Sequence, residues 1–221
     1  MKLLFDGITK IILGLVLIGA LLFLPAWTFN YPGAWLFIAL LFIPTVILGT
    51  VLFIASPELL KKRIDAKEKE ASQGILIKLM GLMFVLGFVV SGLDFRFGWS
   101  SVPPWLVIVA SAAFLIGYLG YAEVLRENAY LSRTVEVQDG QTVISSGLYG
   151  VVRHPMYLAT LFMFLPMPLI LGSLWGLIPL ATYIPLIIAR IIGEEKVLSD
   201  GLTGYSEYKQ KVKYRLIPFV W

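Results

Sequence analysis

Residues 11–56, IILGLVLIGALLFLPAWTFNYPGAWLFIALLFIPTVILGTVLFIAS, contain no charged side chain. A helix that crosses a hydrocarbon core of about 30 Å needs about 20 apolar residues, so this run is too long for one crossing and suits two. The turn-forming stretch Asn30-Tyr31-Pro32-Gly33 falls near its middle and predicts helices over 8–29 and 34–55. The first is not expected to be a cleaved signal peptide, because its apolar stretch is too long and Pro25-Ala26-Trp27 is not a small-residue cleavage site.

Working outward, three further charge-free windows cover 79–93, 97–122 and 155–189. They predict a helix over 74–93 and another over 103–125, the latter opened by Pro103-Pro104. As one straight helix the last window would reach about 50 Å, well beyond the membrane core. Pro166, Pro168 and Gly172 lie near its middle and predict a tight helical hairpin with limbs 155–170 and 174–192. The expected fold class is therefore all-α: a polytopic membrane helix bundle of about six crossings, forming one integral membrane domain over 1–221.

Composition agrees. Of 221 residues, 58% are hydrophobic and 14% charged, against about 25% charged in an ordinary soluble domain. A soluble enzyme, a nucleic-acid-binding domain and a disordered chain are excluded, so no nucleic-acid partner is expected. The chain has no cysteine and one histidine, His154. That removes a disulfide framework, a thiolate metal site, a cysteine nucleophile and a multi-histidine metal centre, and no metal is expected. The net charge of +4 reads first as topology. With the N-terminus in the cytoplasm, every lysine and arginine except Arg96 falls on the inner side, which predicts cytoplasmic N- and C-termini.

The inner side collects three polar segments. Residues 57–73 mix Lys61, Lys62, Arg63, Lys67 and Lys69 with Glu58, Asp65, Glu68 and Glu70, as a solvated or interfacial helix would. In the second, alternation around Asp139-Gly140 predicts a short cytoplasmic β-hairpin over 135–143. That leads to Gly147-Leu148-Tyr149 and then Val152-Arg153-His154-Pro155-Met156-Tyr157. Proline is favoured at the first helical position, which puts His154 at a helix cap. The amides and dipole of that helix start, with Arg153 beside them, suit an anion; a positive-inside arginine next to a capping histidine explains the same residues. The third segment carries Arg190, Glu194 and Glu195. Carboxylates at a helix C-terminus oppose the dipole at about 0.3–1 kcal/mol each. Their presence fits a cationic ligand or a proton transfer, or more simply a boundary salt bridge. Beyond them, Tyr205, Tyr208, Tyr214, Phe219 and Trp221 alternate with Lys209, Lys211, Lys213 and Arg215, as in a tail lying on the inner leaflet.

Taken together, Gly147-Leu148-Tyr149, the 152–157 motif, Arg190 with Glu194-Glu195, Tyr205 with Tyr208, and Tyr214-Arg215-Leu216-Ile217-Pro218 resemble the C-terminal signature of the isoprenylcysteine carboxyl methyltransferase family. The approach Asn128-Ala129-Tyr130-Leu131-Ser132-Arg133 resembles that family's bacterial members. The resemblance covers about 126–221, and 1–125 matches only as generic membrane helices. It implies a multi-pass membrane methyltransferase that takes S-adenosylmethionine as cofactor and leaves S-adenosylhomocysteine, without a soluble Rossmann domain. No G-x-G-x-x-G loop occurs in the chain, as that implies. The resemblance divides the chain into four transmembrane helices over 1–125 and a cofactor-binding and catalytic part over 126–221. It places Arg190 and Glu194 at the acceptor as catalytic residues. Tyr149, Val152, Arg153, His154, Pro155, Tyr157, Glu194, Glu195, Tyr205 and Tyr208 fall to the cofactor. The acceptor is lipophilic or lipidated, drawn from the membrane, with the active site on the cytoplasmic side. Phospholipid, small-amine or thiol methyltransferases are the alternatives within the class.

A small transporter is the alternative from another class, favoured by the proline-broken helix but opposed by the absence of charge inside the spans and of any internal repeat. A purely structural membrane protein would leave the His154, Arg190 and Glu194 set without a role. The topology has a direct test. A single cysteine introduced at position 211 of this cysteine-free chain should react with a membrane-impermeant maleimide only from the cytoplasmic face, and labelling from outside would overturn it.

Overall fold

The computed structural model describes residues 2–64, 71–132 and 134–221. Asp65, Lys67, Glu68, Lys69 and Glu70 of the polar 57–73 segment, and Arg133, lie outside the described residues. Helices α1 (Lys2–Ala26), α2 (Pro32–Ala55), α3 (Pro57–Ile64), α4 (Ala71–Phe97) and α5 (Pro104–Glu127) build the first half. The second half holds α6 (Pro155–Phe164), α7 (Met167–Ile170), α8 (Leu177–Ala181), α9 (Tyr183–Gly201) and α10 (Tyr205–Lys211). Pro32, Pro104 and Pro155 each stand at a helix start, where the missing N–H costs nothing and the fixed φ helps.

Five helices are long and apolar enough to cross a membrane: α1, α2, α4 from Gln73, α5, and the continuous 177–201 segment formed by α8 and α9. Of the six crossings expected from the sequence, the one over 155–170 falls on a shorter apolar pair, α6 and α7, Pro155–Ile170, which is not among these five. The chain is thus a multi-pass integral membrane protein by length and composition. Side chains such as Leu13, Val16 and Ile54 face outward, as lipid-facing positions do.

The helical hairpin is present. Thr160 Oγ1 meets the Tyr183 hydroxyl at 2.6 Å, Tyr157 meets Arg190, and His154 meets Glu195, so the two limbs run antiparallel. Gly172, at φ +80°, turns the chain between them. One boundary differs usefully from the expectation. Helix α9 continues to Gly201 instead of stopping near 192, so Glu194 and Glu195 lie inside the helix and escape most of the expected conflict with its C-terminal dipole.

The β-hairpin expected over 135–143 does not form; no strand occurs among the described residues. The Asp139-Gly140 turn is made, with the Gln141 N–H donating to the Gln138 carbonyl at 3.0 Å and Gly140 at φ +69°. The Gln138 N–H, however, donates to the Gln141 side chain, and the Gln138 amide donates to the Tyr130 carbonyl. Side chains compete with the ladder for the backbone, while Val137 and Val143 pack against the cluster of Leu202, Tyr205, Tyr208 and Val212.

Close helix approach is bought with missing side chains. A Cβ on Gly117 of α5 would lie 2.8 Å from the Ala159 carbonyl oxygen and 2.9 Å from the Met163 nitrogen of α6. One on Gly92 of α4 would lie 2.7 Å from the Leu22 carbonyl oxygen of α1. In lipid such contacts replace the hydrophobic drive that water supplies to soluble bundles. The core between them holds Leu22, Tyr31, Phe37, Phe114 and Ile170. At the end of the bundle away from His154, buried Asp94 accepts hydrogen bonds from the Ser100 N–H and from the Ser100 and Ser173 hydroxyls, tying the 98–103 loop to the hairpin turn. Gly117→Leu should cost about 1–3 kcal/mol through overpacking and lower the thermal midpoint in detergent. Gly81→Leu, where a Cβ meets nothing within 4 Å, should leave that midpoint in place.

Candidate active site

The proline at the start of α6 fixes where His154 and Arg153 stand, and the chain's tail runs past them. The Arg153 N–H donates to the Tyr214 carbonyl and the His154 N–H to the Arg215 carbonyl, both at 2.9 Å. The two amides just ahead of Pro155 are thus engaged by the tail, and the anion-binding part of the helix start is narrower than its sequence suggests.

Glu195 on α9 faces this junction. One carboxylate oxygen accepts from Arg153 Nε at 2.7 Å and lies 3.3 Å from His154 Nε2; the other accepts from Arg215 Nε at 2.9 Å. Arg153 also donates through Nη1 to the carbonyls of Val212 and Lys213. Arg153, His154 and Glu195 are all buried. Burial strengthens each of these contacts and would leave any survivor without hydration if its partner were removed.

One turn away, the Tyr157 hydroxyl donates to a Glu194 oxygen and accepts from Arg190 Nε at 3.2 Å. Arg190 and Glu194, four residues apart on α9, therefore share the Tyr157 hydroxyl of α6. Arg190 Nη1 donates to the Gln73 side-chain oxygen on α4 at 3.1 Å.

The opposite wall comes from the loop after α5. Glu127 accepts the Leu148 N–H and caps the 3₁₀ turn Gly147–Gly150. Gly147 has φ +52°, which favours glycine, and a Cβ there would displace the Glu127 carboxylate from its seat. The turn presents Tyr149, whose hydroxyl accepts from Asn128 Nδ2 at 2.9 Å and whose carbonyl accepts from the Tyr208 hydroxyl at 2.7 Å. Helix α3 supports the loop from below through Arg63, which donates to the Ser132 carbonyl and the Tyr121 hydroxyl.

These elements frame a cavity lined by Tyr149, Arg153, His154, Tyr157, Arg190, Glu194, Tyr205 and Tyr208 together with residues of the loop after α5, among them Asn128, Glu136 and Ile144. Tyr205 is 4% exposed, and its hydroxyl is the one buried side-chain oxygen or nitrogen without a hydrogen-bond partner among the described residues. Burial, with the nearby charges of Glu195 and Glu194, pushes that hydroxyl well above its ordinary range and keeps it neutral. Burial does the same for Tyr149 and Tyr208. The cavity therefore offers a cationic fork, a carboxylate and neutral hydroxyls within one wall system. Val152 and Pro155 are buried beside it, and Glu195 stands behind Arg153.

The residues that the sequence singles out for cofactor and acceptor thus gather in one place. Three contributors are not among them. Gln73, Glu127 and Arg215 join the site through contacts with residues 117, 21 and 20 positions away, and the one local signal is Gly147, whose lack of a side chain marks the place where Glu127 enters.

Similarity to known proteins fits this location. A family model described as phospholipid methyltransferase matches residues 105–202, which include α5 through α9 but neither Tyr205, Tyr208 nor Arg215. A Delta(14)-sterol reductase, TM7SF2 of Mus musculus, is 34% identical over 91 residues, 40% of this chain and 22% of that protein. The chain thus spans about a fifth of the curated relative that it matches. Breaking the clasp should be costly: Glu195→Gln should destabilise by about 3–5 kcal/mol, as removal of one partner from a buried ion pair does. Limited proteolysis should then release fragments cut within 205–221 before the helical body is attacked. The phospholipid methyltransferase model covers α6 and α9, two of the helices that frame the cavity.

Proposed function

We propose that the protein transfers a methyl group from S-adenosylmethionine to a lipophilic acceptor in the membrane, with the active site on the cytoplasmic side. The observation that carries the proposal is the cavity at the α6–α9 junction, into which a buried, unpartnered Tyr205 hydroxyl projects beside Arg190, Glu194 and His154. An orphaned buried hydroxyl costs about 1–3 kcal/mol unless a ligand atom meets it. The donor set suits this cofactor: cations for its carboxylate, a carboxylate for its ammonium and aromatic faces for its adenine.

When bound, the cofactor supplies an electrophilic methyl on a sulfonium, which passes to the acceptor and leaves a neutral thioether. The protein's own groups position and protect. Tyr149, Tyr205 and Tyr208 close the cavity from the side of the loop and α10 and exclude water. His154 and Arg153, held by Glu195, set one end of the cofactor. Arg190 aims the acceptor, and an in-line approach then accounts for most of the acceleration. Glu194, bridged to Arg190 by Tyr157, positions an ionised acceptor or takes the proton from an amine or thiol. A carboxylate acceptor needs no such base near neutral pH.

For the acceptor, the family match favours a phospholipid amine, whereas the signature around 147–157 and 190–218 resembles enzymes that methylate the carboxylate of a prenylated cysteine. Acceptors of both kinds would enter sideways from the bilayer. Calorimetry on the purified protein should detect S-adenosylhomocysteine, with binding lost in His154→Ala. Tyr205→Phe should weaken binding by about 0.5–1.5 kcal/mol, roughly two- to tenfold. Absence of binding in both detergent and lipid would sink the proposal. Incubation with methyl-labelled cofactor and the native lipid extract, followed by mass spectrometry, identifies the acceptor. A reductase, the activity in the name of the mouse relative, would leave every lipid unlabelled.

A further inference from the structure

We infer that Gln73, at the start of α4, is the positioning residue that sets the orientation of Arg190 in the acceptor half of the site. The inference deepens the methyltransferase proposal and rests on it for its catalytic part.

Three observations carry it. Gln73 is 3% exposed and Arg190 is 7% exposed, and the Gln73 oxygen accepts from Arg190 Nη1 at 3.1 Å. The Arg190 guanidinium is a planar fork, so fixing Nε on the Tyr157 hydroxyl and Nη1 on Gln73 defines its plane from two different helices. Both of these acceptors are neutral oxygens.

The third observation is the space made for the amide. A Cβ on Gly193 would lie 2.0 Å from Gln73 Nε2 and 3.3 Å from its Cδ. Gly193 is three residues after Arg190 on the same helix, and in the middle of a helix glycine is worse than alanine by about 1 kcal/mol. Its presence there opens the notch that lets Gln73 reach Arg190. Gln73 lies outside the 105–202 region matched by the family model. The site is therefore completed by a helix whose sequence alone reads as a generic membrane span.

The test uses the full-length protein in lipid. Gln73→Met keeps the length of the side chain but removes the acceptor oxygen, Gln73→Glu retains an oxygen, and Gly193→Ala displaces the amide from the other side. The first readout needs no activity: phenylglyoxal modification of Arg190, quantified by peptide mass spectrometry. Its rate should rise at least threefold in Gln73→Met and in Gly193→Ala, and return toward the wild-type value in Gln73→Glu. The second is transfer of labelled methyl to the native lipid extract. Gln73→Met should lose at least tenfold in kcat/KM for the extract while S-adenosylhomocysteine affinity stays within twofold of wild type.

An unchanged Arg190 modification rate in Gln73→Met overturns the inference. So does a loss of cofactor affinity in parallel with turnover, which would mark a general structural role. If the wild type itself transfers no label, the methyltransferase proposal fails, and the modification rates still decide whether Gln73 holds Arg190.

Discussion

The site end of the molecule depends on one buried carboxylate. Glu195 sits where two limbs of a helical hairpin and the chain's tail converge, and Arg153, His154 and Arg215 reach it from three different segments. A carboxylate removed from water is tolerated only when its oxygens are taken up by donors, so the three partners must stay where they are. Through Arg153 the clasp also holds the carbonyls of Val212 and Lys213, and the backbone of Arg153 and His154 holds those of Tyr214 and Arg215. The tail is thereby fixed across the start of α6, and α10 is brought over the cavity.

The other polar groups at that end follow from this arrangement. With α6 and α9 locked antiparallel, Tyr157 falls opposite both Arg190 and Glu194 and joins them through one hydroxyl. With α10 held in place, Tyr208 closes onto the Tyr149 carbonyl and Tyr205 points its hydroxyl inward. The far end of the bundle has its own buried carboxylate, Asp94, but there the donors are two serine hydroxyls and an N–H. That set contains no cation, and it ties loops together.

Much of the fold is legible in the sequence because lipid imposes a simple rule. Backbone groups in hydrocarbon must be satisfied within a helix, so charge-free windows of sufficient length translate into crossings. The proline and glycine breaks at 166–172 likewise locate the hairpin. Alternation at 135–143 misleads because it reports side-chain direction but not which acceptor wins a backbone N–H, and here the side chain of Gln141 wins that of Gln138. Helix α9 runs past the charge boundary that the sequence suggests as its end, because Glu195 is accommodated inside it by partners from elsewhere.

The sequence by itself determined the membrane body, the breaks in its helices and the small set of polar residues from which a site had to be built, because apolar length and proline geometry are local properties. Tertiary structure alone decided how those residues are used. It drew Gln73 to Arg190 across 117 positions, set Glu127 into the notch at Gly147, and committed Glu195 to Arg153, His154 and Arg215 while leaving the Tyr205 hydroxyl without a partner among the described residues. The physical reason is that burial makes a polar group choose between partners, and that choice depends on which side chains the packed helices bring within about 3 Å.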